Sequence, residues 1–121
     1  MAFAERFEDL EVWKKAKCLL VQIYSAFKHC RDFALRDQIQ RAALSVMNNI
    51  AEGFERRTRK DFAHFLDQAK GSSGEVRSIL HAAQDLAYLE SHSAVELRNE
   101  YELLSRSLGA LASKLRGNRN S

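Results

Sequence analysis

Residues 97–115 read Leu97-Arg-Asn-Glu-Tyr101-Glu-Leu-Leu104-Ser-Arg-Ser-Leu108-Gly-Ala-Leu111-Ala-Ser-Lys-Leu115. The apolar positions Leu97, Tyr101, Leu104, Leu108, Leu111 and Leu115 recur at steps of four, three, four, three and four. That period lays one apolar seam along an α-helix. Ser93 reads as the N-cap, with Glu96 three residues on. A helix with a single apolar stripe needs partners to bury it. The preceding sequence supplies three more helices with the same period.

The first helix is expected from a cap at Asp9 to about Lys28, with Leu10, Val12, Trp13, Ala16, Leu19, Leu20, Ile23, Tyr24 and Phe27 spaced by threes and fours over a broad arc, as expected for a helix touching two neighbours. His29 to Asp32 reads as a break. The second helix is expected from about Ala34 to Ala51, with Leu35, Ile39, Ala42, Ala43, Val46 and Ile50 as its stripe. Gly53 reads as a left-handed stop just past its end. Thr58 and Asp61 form a short-armed capping box that opens a third helix, reaching about Leu89. Gly71 and Gly74 fall inside it, each costing about 1 kcal/mol relative to alanine. Close approach of a neighbouring helix or a local bend would compensate.

Four amphipathic helices joined by short breaks imply an all-α, antiparallel up-down-up-down four-helix bundle. It forms a single domain over residues 1–116, followed by a polar tail over 117–121. Composition agrees. The chain has 121 residues, no proline and five glycines, with 45% hydrophobic and 29% charged residues. That excludes a disordered or collagen-like chain. Cys18 and Cys30 stand too far apart for a CxxC motif. No apolar run is long enough to span a bilayer. The amino terminus lacks the apolar core of a signal peptide. A cytoplasmic protein without membrane contact is the expectation.

Helical projection leaves some apolar residues off the main stripes. Leu44 and Met47 on the second helix, and Cys18 and Val21 on the first, lie among polar neighbours. They are the candidate oligomer interface, weighed against ordinary scattered exposure. Charge is also uneven. Residues 31–60 carry seven Lys/Arg against four Asp/Glu, and residues 61–100 carry three against seven. The densest cluster is Arg56-Arg57-Thr58-Arg59-Lys60. Arg59 and Lys60 occupy the first turn of the third helix, where the helix dipole disfavours cations. A solvated connector and an anion site both fit this pattern, with phosphate the natural anion. Arg116 and Arg119 are secondary candidates.

Catalytic signals are weak. A di-iron bundle needs two Glu-x-x-His motifs, and the nearest match is a single Asp61-x-x-His64. No metal or other cofactor is expected, and no enzyme. A polar line of Gln38, Ser45, Asn49 and Glu52 flanks the second stripe, and Gln68, Ser72 and Glu75 flank the third. The two lines can meet as a hydrogen-bonded seam within the bundle or across a subunit boundary, or remain ordinary boundary residues.

Four segments carry a family resemblance. The chain opens with Phe7-x-x-Leu10-x-Val12-Trp13-x-x-Ala16. The second segment runs from Gln38 through Arg41-Ala42-Ala43-x-Ser45-Val46 to Asn49-Ile50-Ala51-Glu52-Gly53. The third and fourth are Arg57-Thr58-x-Lys60-Asp61-Phe62 and Phe65-Leu66-x-x-Ala69-x-Gly71-Ser72-x-x-Glu75. Together they resemble the four-helix-bundle family of 23S rRNA intervening-sequence proteins, encoded within insertions in bacterial large-subunit rRNA genes and elsewhere. The accessory protein of diversity-generating retroelements is similar to that family. The resemblance implies an antiparallel bundle and a homopentamer around a central channel. Through the retroelement relative it also implies nucleic-acid binding and association with a reverse transcriptase. Met47 stands where the family often has proline, which implies a straighter second helix here.

The functional expectation is a non-enzymatic homo-oligomer that binds RNA or DNA backbone through Arg56, Arg57, Arg59 and Lys60, with Arg116 and Arg119 assisting. Contact of that kind is electrostatic and tolerant of sequence. The rival is a protein-interaction scaffold with no nucleic-acid contact.

Overall fold

The computed structural model describes residues 4–117. A single 3-10 turn at Phe7–Asp9 leads into α1 (Glu11–Ala26). Then follow α2 (Phe33–Phe54), α3 (Arg59–Asp85) and α4 (Ser91–Leu115), with no strand among the described residues.

Cross-helix contacts fix the directions. Gln38 on α2 meets Glu75 on α3, while Ser45 meets Ser72, so rising number on one helix matches falling number on the other. Arg59 on α3 reaches Leu115 on α4, and Ser73 reaches Ser105, again antiparallel. Lys15 pairs with Glu100, whereas Leu10 lies near Leu111, which sets α1 antiparallel to α4. The chain therefore runs up, down, up and down. Leu19, Ile23, Phe27, Ile39, Val46, Ile50, Leu66, Val76, Leu80, Tyr101 and Leu108 are completely buried between the four helices. Burial of such side chains contributes about 1.5–3 kcal/mol each. The α4 seam expected from sequence is core throughout, except that Leu111 is only partly covered.

The helix ends differ from the sequence reading in instructive ways. Asp9 does not cap α1. It closes the 3-10 turn, and Leu10 occupies the N-cap with no side-chain acceptor. Asp32, read as part of a break, is the true cap of α2 and accepts from the Leu35 amide at 3.1 Å. Thr58 caps α3 as expected, accepting from the Asp61 amide at 3.0 Å. Ser93 lies inside α4 and donates to Glu90, the residue at the N-cap position.

Gly53 is not a stop. It is a buried residue within α2, where a Cβ would lie 2.7 Å from the Phe65 Cβ and 3.2 Å from the Phe62 carbonyl oxygen. The close approach of helices expected at Gly71 and Gly74 is found here instead. At those two positions a Cβ would meet no atom within 4 Å. The left-handed stops are Ala87, at φ 62°, and Gly117, at φ 63°. After α3 the Ala87 amide donates to Gln84 and the Tyr88 amide to Ala83, a complete Schellman motif that ends the helix earlier than Leu89.

Candidate functional site

The connector between α2 and α3 projects from one end of the bundle. Arg56, Arg57, Arg59 and Lys60 are all exposed there. The carboxyl end of α4 lies beside them, because Arg59 crosses to it. Its Nε donates to the Leu115 carbonyl at 3.0 Å and its Nη2 to the Lys114 carbonyl at 3.1 Å. Arg116 follows directly, so Arg116 and the cluster share one end of the molecule. Arg119 lies outside the described residues.

The five candidate cations among the described residues are not equivalent. Arg56 pairs with Glu52 at 2.9 Å and lies over the Phe65 ring, 4.6 Å from its centroid. Arg59 is occupied by the α4 carbonyls. Arg116 pairs with Asp67 at 2.6 Å, and that hydrogen bond raises its pKa above the usual arginine value. The side chains of Arg57 and Lys60 make no hydrogen bond or ion pair among the described residues. Both side chains are exposed to solvent.

The Arg59 contacts explain an arrangement that is unfavourable on α3 alone. A cation in the first turn of a helix opposes the dipole, but Arg59 points at the carbonyl end of α4, where a cation is favoured. Asp61 supplies an acid in the first turn of α3. Nothing in the local sequence announces a partner so far along the chain.

The polar lines on α2 and α3 do meet within one chain. The Ser45 and Ser72 hydroxyls lie 2.8 Å apart, Gln38 donates to Glu75 at 3.1 Å, and Asn49 donates to the Ser45 hydroxyl at 3.0 Å. Gln68 instead meets His64 on its own helix, and Glu52 turns to Arg56. A second polar contact went unread in the sequence. Ser105 on α4 donates to Ser73 at 2.8 Å, and Ser73 donates to the Tyr101 carbonyl at 3.0 Å. Both serines are buried, and each hydroxyl finds its partner across the α3–α4 contact.

Of the four residues expected at an oligomer interface, Val21 is 59% exposed and Leu44 39%. Cys18 is exposed on the same helix as Val21 and accepts from the Gln22 amide nitrogen. Met47 differs: it is half-buried and packs against the core. It stands four residues after Ala43 and three before Ile50, so its flexible thioether reaches the flank of the buried stripe. Further large apolar side chains are exposed that the projection did not single out, notably Phe33, Leu86 and Leu103.

Among the described residues, no three His, Cys, Asp or Glu side chains gather as a metal site requires. No described helix is long and apolar enough to cross a membrane.

Fold and connectivity define the class: an all-α, antiparallel four-helix bundle with a basic connector at one end. Comparison with known families then identifies its kin, because the 23S rRNA-intervening sequence protein family matches residues 8–110. The chain belongs to that family. It is similar to a solved structure from Bacteroides thetaiotaomicron, described as a protein of unknown function from the S23 ribosomal protein family. The two share 22% identity over 84% of this chain and 97% of the other, with a TM-score of 0.78. That likeness speaks to the fold. No curated protein matches the chain.

Proposed function

We propose that this bundle is a non-enzymatic, cytoplasmic, homo-oligomeric protein that binds the phosphate backbone of RNA or DNA. One observation carries the reading. Arg57 and Lys60 stand exposed at one end of the bundle with no hydrogen-bond or ion-pair partner among the described residues, while neighbouring Arg56, Arg59 and Arg116 are held in place around them. Two unneutralised cations on a braced connector suit phosphate oxygens, which need charge and donors but no recognition element. Membership of a family named for 23S rRNA insertions is in keeping with a nucleic-acid partner.

Self-association is part of the same proposal. Val21 and Leu44 present apolar surface that a monomer gains nothing by exposing, and the family resemblance favours a ring. In a closed ring each connector recurs once per subunit. Weak single contacts then sum to usable affinity even at a net charge of +3. Light scattering should report a mass several times the 13.8 kDa chain. A clean monomer at high concentration overturns the oligomer.

The test of binding is a titration of structured RNA and of duplex DNA at low and at moderate salt. Wild type should bind weakly, with little sequence preference, and lose affinity as salt rises. Arg57→Gln/Lys60→Gln should bind several-fold more weakly with its fold intact. If wild type binds neither nucleic acid at low salt, the reading is wrong and a protein-interaction scaffold takes its place.

A further inference from the structure

An open groove of about 420 Å³ lies between α3 and α4, lined by Asp67, Lys70, Gly71, Arg77 and Ser105. We infer that this groove receives the sugar–phosphate backbone of a nucleic-acid strand, extending the contact at the connector along α3. The inference rests on the nucleic-acid reading above and names the surface on which it acts.

Charge is the first argument. The side chains of Lys70 and Arg77 make no hydrogen bond or ion pair among the described residues. The acid lining the groove, Asp67, is already taken by Arg116 at 2.6 Å. Among the described residues the groove thus keeps two cations without a partner, and the one carboxylate that lines it is paired.

Shape is the second. Gly71 and Gly74 lie in the interior of α3, where glycine is the poorest helix former after proline. Packing does not demand them, since a Cβ at either would meet no atom within 4 Å. Their absent side chains leave the helix surface low between Lys70 and Arg77, the form that permits close approach of another backbone.

Spacing is the third. Lys70 and Arg77 are seven residues apart, about 10 Å along the helix axis. Lys60 lies ten residues before Lys70 and falls with both of them, and with the two glycines, within an arc of about 120°. From Lys60 to Arg77 the stripe runs about 25 Å. Its length suits an extended polyanion better than a single small anion. Its unpaired cations suit a polyanion better than the apolar face of another helix.

The experiment is fluorescence anisotropy with a labelled RNA hairpin at low salt, using full-length protein. Lys70→Gln/Arg77→Gln should weaken binding about tenfold or more, by loss of two phosphate contacts. Lys17→Gln/Lys28→Gln, which removes the same charge from the α1 side, should stay close to wild type. Gly71→Met, which adds bulk without changing charge, should also weaken binding while circular dichroism stays native.

Equal losses in the two charge variants would mean that binding follows net charge alone, and would overturn the groove. Native affinity in Lys70→Gln/Arg77→Gln, together with a loss in Arg57→Gln/Lys60→Gln, would overturn the groove while the connector reading stands. Absence of binding by wild type would remove both. A drop in oligomer mass for Gly71→Met would identify the groove as a contact between copies of this chain and overturn the assignment.

Discussion

The guanidinium of Arg59 donates to the carbonyl of Leu115 at 3.0 Å, joining the first turn of α3 to the last turn of α4 across 56 residues of sequence. The last carbonyls of a helix have no partner within it, and a cation there is favoured by the dipole. One side chain therefore caps α4 and braces the basic connector. Arg59→Gln should lower stability by about 1–2 kcal/mol, since two charged hydrogen bonds and their contact with the helix dipole are lost at an exposed site. Nucleic-acid affinity should fall less than for Arg57→Gln. A urea midpoint unchanged from wild type would show that the cap contributes nothing.

The glycines divide by their surroundings. At Gly53 an added Cβ overlaps Phe65 and the backbone of Phe62. Overpacking of that kind costs about 1–3 kcal/mol and outweighs the gain in helix propensity. At Gly71 and Gly74 there is open space, and replacement by alanine should add up to about 1 kcal/mol each. Thermal melts of the three single variants check this, with Gly53→Ala falling and the other two rising.

Ala87 holds a left-handed conformation, φ 62°, at the end of α3. Alanine pays for that geometry about 1 kcal/mol that glycine does not. Ala87→Gly should raise the melting temperature, because the Schellman hydrogen bonds of Ala87 and Tyr88 remain available to it. A lower melting temperature would contradict this account of the turn.

Tyr101 is fully buried and its hydroxyl has no hydrogen-bond partner among the described residues. Burial pushes its phenol well above the usual tyrosine range. With the folded value raised, its contribution is fully present below about pH 10, the unfolded value, and is lost as pH rises toward the folded one. Tyr101→Phe should stabilise the bundle by about 1 kcal/mol near neutrality, since an unpaired buried hydroxyl is removed. The variant should also lose less stability than wild type at alkaline pH. Urea denaturation across that range is the check.

Much of the bundle was legible because helical period is a local property. The seam from Leu97 to Leu115 and the stripe from Leu35 to Ile50 needed only spacing, and both stripes face the core. What escaped depends on partners distant in sequence. Gly53 resembles a helix stop until Phe65 is seen beside it. Asp32 looks like part of a turn, although its carboxylate accepts from Leu35. The cluster at 56–60 was visible as charge, but its division was not. Glu52 is near enough in sequence to suggest the pairing of Arg56, whereas Leu115 and Asp67 give no local sign that they engage Arg59 and Arg116. Lys70 and Arg77 were diluted in an acidic segment, and only the pairing of Asp67 with Arg116 leaves them uncompensated.

The most direct measurement is the salt dependence of RNA-hairpin binding by the wild-type chain. Each phosphate neutralised steepens the slope of log affinity against log salt by about 0.7–0.9. With Arg57, Lys60, Lys70 and Arg77 in contact, the account predicts a slope of about −3 or steeper, becoming shallower by roughly half in Arg57→Gln/Lys60→Gln. A slope near zero, or no binding at low salt, would contradict the claim that this bundle is built to hold a phosphate backbone.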